Sequence, residues 1–181
     1  MAVEAWMSWE GGVDLMAMTQ AEMTQPNVLV HVARMVHTPV GSAPAGMIVI
    51  PDENGAPQLM GFVSSDLAVG AYFGPHIFAG TPFENAPVLQ AEFDFSIEPL
   101  SSASTRIMVE GHVIEVQLNG LSALESVDSP PGTMPFHDRS LMSAASNASL
   151  KFDGNEIPLV LASPSVGGAA AVHSACGIYQ R

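Results

Sequence analysis

The chain has 181 residues, 18 of them acidic and five basic, for a net charge of −13, and only 13% are charged, against about 25% in an average domain. The five cations, Arg34, Arg106, Arg139, Lys151 and Arg181, are scattered, so no basic patch exists to hold a nucleic-acid backbone or an anionic membrane surface. An apolar content of 48% argues against disorder, and a chain of this length can bury a core without disulfide or metal.

Residues 1–25 carry Trp6, Met7, Trp9, Leu15, Met16 and Met18, too apolar a set for a free tail, while Gly11 and Gly12 interrupt any long helix. The expectation is an arm docked on the domain or on a neighbouring copy. Glu4, Glu10 and Asp14 break any signal-peptide core, and no run reaches the ~20 apolar residues of a spanning helix, so the expected location is the cytoplasm, with no membrane insertion. Residues 26–181 then read as a single antiparallel β domain.

After Pro26, Val28, Val30, Val32 and Val36 fall on one face of a strand, with His31, Ala33, Met35 and His37 on the other. Residues 46–50 and 57–63 are apolar runs joined through Asn54-Gly55, a hairpin signal because both residues tolerate left-handed backbone. Ser64, Ser65 and Asp66 precede an apolar run that ends at Gly74 and Pro75, which predicts an N-cap and one short helix near 65–73. Residues 88–97 are the clearest strand, with Leu89, Ala91, Phe93, Phe95 and Ile97 alternating with polar residues. Residues 105–110 and 112–118 form a second hairpin through Gly111, and Asn119-Gly120 marks the next turn. The segment 121–147 is the least periodic; Asp128 to Gly132 reads as loop, and 140–148 as no more than one helical turn. A third hairpin turns at Asp153-Gly154-Asn155, residues 163–168 read as loop, and 170–179 as a last strand. Short strands with turns every ten residues or so, one helix and no βαβ rhythm predict an all-β fold. The predicted architecture is an antiparallel β-barrel or β-sandwich of about eight strands.

No motif names a reaction. None of the six histidines stands at a metal-ligand spacing; His31 and His37 share a strand face but lie roughly 20 Å apart, and Glu110 and His112 flank a turn. Asp52-Glu53-Asn54 and Asp153-Gly154-Asn155-Glu156 are explained as turns rather than calcium loops. His173 and Ser174 are strand neighbours and point to opposite faces. The lone Cys176 reads as a small buried hydrophobe. No catalytic residue, cofactor or metal site is assigned. The segment 70–84 concentrates aromatics, Gly, Pro and two titratable groups, so Tyr72, Phe73, His76, Phe78, Phe83 and Glu84 are the candidate ligand-binding residues of a cap over a barrel mouth. The same features fit an Ω-loop that plugs the core. The expected function is non-catalytic binding of a small apolar ligand in the barrel or sandwich interior, by a homo-oligomer. The alternatives are an assembly protein whose apolar surface is covered by copies of itself, and a small barrel isomerase or cyclase acting on an apolar substrate. The acidic excess serves solubility.

Overall fold

Alternating apolar and polar residues, punctuated by Gly-containing turns, commit most of the chain to strands. The structure, a computed structural model, describes residues 4–130, 137–161 and 170–180, with side chains described for 7–130, 137–161 and 170–172. The side chains of Trp6, His173, Ser174 and Cys176, residues 131–132 of the expected 128–132 loop and the 163–168 loop lie outside the described residues; Asp128 and Ser129, expected in that loop, are strand residues paired with Arg139 and Asp138. The elements are β1 (Glu4–Met18), β2 (Val28–Thr38), β3 (Gly41–Pro51), β4 (Pro57–Ser64), α1 (Leu67–Ile77), β5 (Val88–Glu98) and β6 (Ser102–Val109). They continue with β7 (His112–Leu121), β8 (Glu125–Ser129), β9 (His137–Phe152), β10 (Asn155–Ile157), β11 (Val160–Leu161) and β12 (Ala170–Gln180).

The strands follow the order β9-β12-β1-β2-β3-β4-β5-β6-β7, and β7 pairs with β9, so the sheet closes in a ring. The fold is all-β and its pairings are antiparallel except β4 with β5. Two strands make the corners. The first half of β9 pairs with β12 and its second half with β7. Likewise β5 gives residues 88–90 to β4 and 91–98 to β6. The ring is therefore a flattened barrel with two walls, β12-β1-β2-β3-β4 and β5-β6-β7-β9. Residues 4–18 form β1, a strand inside the first wall between β12 and β2.

Between the walls lies one apolar core, with Val13, Leu15 and Val30 from one side meeting Ile107, Ile114, Leu118 and Leu150 from the other. A second core lies outside the first wall, where Trp9, Met47, Val49 and Phe62 are covered by Val69, Phe73 and Ile77 of α1. Because parallel neighbours need a crossover, the link from β4 to β5 carries the helix across this wall. Asp66 caps it as expected, its carboxylate accepting the Ala68 N–H at 2.8 Å. The helix runs past Gly74 and Pro75 to Ile77, longer than the sequence suggests. Gly74 is no stop signal here. A Cβ on it would stand 2.4 Å from the Phe62 ring, so glycine lets the helix close on the wall.

Three further local expectations are corrected. Val36 does not share a face with Val28, Val30 and Val32. A bulge in β2 spends three residues (33–36) where β3 spends two (43–45), which sends Val36 to the second core. His37 consequently does not share the face of His31. Gly120, at φ +64, is an irregularity within β7 rather than a turn after it. Residues 140–148, expected to hold at most a helical turn, belong to the 16-residue strand β9, because both flanks offer backbone partners. Pro44 lies inside β3, and its carbonyl accepts the Ser64 hydroxyl. No helix among the described residues is long and apolar enough to cross a membrane.

Candidate functional site

The six residues singled out in the sequence all sit on α1 or the loop after it, on the outside of the first wall. Phe73 is buried and meets Trp9 and His31, each at 6.2 Å between ring centroids. Tyr72 and His76, one helical turn apart, stack at 4.1 Å, and His76 Nδ1 donates to the Tyr72 carbonyl at 2.6 Å. Phe78 contacts Phe62 at 5.6 Å and Phe83 at 6.0 Å. Glu84 folds back to accept the Gly80 N–H at 2.8 Å. The segment covers the side of the barrel, and its Phe side chains pack into the second core or against it. It also brings Phe73 to the Trp9 arm, where His31 forms an ion pair with Asp14, its cross-strand neighbour.

Most of the other described histidines lie beside acids. His112 pairs with Asp153 at 2.8 Å, and His137 pairs with Asp128, which Arg139 also approaches at 3.4 Å. The hydrogen bond from His137 holds the Asp128 carboxyl below the usual range, and that from His112, with the Val113 N–H, does the same for Asp153. His37 bonds the Ser42 hydroxyl at 2.9 Å and lies 3.9 Å from Glu10. Among the described residues, no three His, Cys, Asp or Glu side chains converge as metal ligands.

The second wall presents a different surface. On β6 and the first part of β7 the strands alternate, so inward Ala103, Ile107, Ile114 and Val116 have outward neighbours that are exposed or half-buried. Register aligns these neighbours into rows across four strands. Asp94 lies opposite Arg106, Arg106 opposite Glu115, and Glu115 opposite Lys151. One step along the strands, Ser96, Ser104, Gln117 and Ser149 are aligned in the same way. The two rows line a groove of about 490 Å³. Arg106 Nε stands 3.9 Å from Glu115 Oε1, and the guanidinium also donates to Met108 Sδ at 3.5 Å. Two of the five cations of this acidic chain therefore line one groove. Other surface concavities, such as those lined by Asp52, Glu53 and Gln58 or by Glu92, Glu110 and His112, carry acids without Lys or Arg.

No protein-family model, curated protein or solved structure matches the chain. The chemistry of the groove is thus read from its own residues. Hydroxyl and amide groups on its floor can both donate and accept, and the charged row offers both signs within one strand spacing. The alternation of residues 88–97 marks Glu92 and Asp94 as outward positions but does not show the groove. The outward polar positions of each strand are visible in the alternation, whereas their alignment into rows depends on register between strands far apart in sequence.

Proposed function

We propose that the protein is a non-catalytic binding module that holds a small polar ligand in the groove across β5, β6, β7 and β9. The supporting observation is the groove itself: about 490 Å³, within the range of small-molecule sites, lined by both charges and by hydroxyls. An apolar ligand between the walls would have to displace Ile107, Ile114, Leu118 and Leu150, which are fully buried in a packed core. A barrel isomerase would need an acid facing the interior, and no Asp or Glu is among the buried residues described.

The test is an amide NMR titration of the protein with a panel of small polar compounds, including amino acids, sugars and short peptides. Shifts confined to residues 94–96, 104–106, 115–117 and 149–151, and abolished by the double variant Ser104→Val and Arg106→Gln, are expected. Shifts centred on the α1 loop, or none in the groove, would overturn the reading.

Self-association is a second proposal. Among the described residues β8 bonds only to β9, leaving its other edge open, and Leu124 and Leu141 beside it are 53% and 43% exposed. A multimer in light scattering that Leu141→Lys dissociates supports it; a monomer at every concentration refutes it.

A further inference from the structure

We infer that the ligand of this groove is an extended zwitterion about four peptide residues long, with its ammonium end at Asp94 and its carboxylate end at Lys151. The inference rests on the reading of the groove as a ligand site. The charged row runs Asp94, Arg106, Glu115, Lys151, and its two inner members stand 3.9 Å apart, where they offset one another. Its two ends differ from the middle. Among the described residues, neither Asp94 nor Lys151 has an ion-pair partner within 4.0 Å, although Arg106 lies opposite the first and both Glu115 and Glu156 opposite the second.

A carboxylate and an ammonium thus stand three strand intervals apart, about 14 Å at ~4.8 Å each. Four residues of extended chain span about 13–14 Å. Between the two ends, the hydroxyls of Ser96, Ser104 and Ser149 and the amide of Gln117 form a floor that can bond peptide N–H and C=O groups alike. The groove's formal charge is zero, two acids against two bases, so it neither repels a neutral zwitterion nor selects a simple ion. A polyanion meets Asp94, Glu115 and the net charge of −13, and a polycation meets Arg106 and Lys151.

The experiment titrates the full-length protein in low salt with tetraglycine, diglycine, glycine, and tetraglycine capped at either or both ends, following amide shifts. Tetraglycine is expected to move residues at both ends of the groove, 94–96 and 149–151. Loss of either terminal charge should weaken it about fivefold, the upper range for an exposed ion pair. Asp94→Asn should remove the penalty for capping the amine and leave the penalty for capping the carboxylate; Lys151→Gln should do the reverse. Equal affinity for capped and free tetraglycine, or for glycine and tetraglycine, would overturn the zwitterion while leaving the groove as a polar site. Absence of any groove response, to these peptides or to the wider panel, would overturn both readings.

Discussion

On β3 and β4 the residues pointing away from the barrel are Met47, Val49 and Phe62, roofed by α1, whereas on β6 and β7 the corresponding positions are Ser104, Arg106, Glu115 and Gln117, facing water. Both walls turn an apolar face inward, so the barrel interior does not distinguish them. The difference is the crossover. A parallel neighbour to β4 obliges the chain to pass over the first wall, and a passing helix with Val69, Phe73 and Ile77 on its underside needs an apolar wall beneath it. In the second wall β6 turns into β7 at Glu110-Gly111, and β9 turns back into β10 at Asp153-Gly154, both in left-handed backbone. No helix of the described residues covers it, and its outward Arg106 stays exposed.

Truncating the covered wall should have the largest effect. Phe62→Ala removes a ring 1% exposed and should cost about 3–5 kcal/mol in urea unfolding, while Arg106→Gln on the open wall should change stability by less than ~0.5 kcal/mol. Similar costs at the two sites would erase the contrast. Gly74→Ala should come next. Helix propensity alone favours alanine by about 1 kcal/mol, yet the added Cβ meets the Phe62 ring, so a net loss of about 2 kcal/mol is expected. Phe62→Leu in the same chain should recover part of it, which a double-mutant cycle measures.

Behind the open wall, Thr105 is 2% exposed and its hydroxyl has no hydrogen-bond partner among the described residues. Thr105→Val should therefore raise stability by about 1 kcal/mol, since it removes a desolvated polar group with little change in shape. A loss of that size would show that the hydroxyl has a bonded partner in solution. The smallest effect concerns the edge where β8 meets β9. The folded-state pKa of Asp128 is depressed by His137, so its contribution is full above the unfolded carboxylate pKa and disappears as pH falls through the folded one. Asp128→Asn should flatten the acid side of the stability profile below about pH 5 and leave the slope above pH 8 unchanged. An unaltered acid limb would remove the pair from the account.

Several features could be read from local chemistry. The alternation of 88–97 identifies β5 to within one residue, and Gly111 and Gly154 stand at turns whose φ is positive. Asp66 caps the helix because a carboxylate two residues before an amide can accept it whatever lies elsewhere. The composition also implied an apolar arm and an apolar loop in need of cover. In the structure they cover each other, Trp9 against Phe73. What depended on tertiary structure is whatever depends on register or partners. Residues 140–148 have little strand character of their own and become β9 because β7, β8 and β12 supply its hydrogen bonds. Val36 changes sides through one extra residue in β2. The groove exists because Asp94, Arg106, Glu115 and Lys151, up to 57 positions apart in the chain, are brought to one level of the sheet. Alternation along a strand is a local property that sequence carries by itself. The alignment of one strand with the next is decided only when the barrel closes.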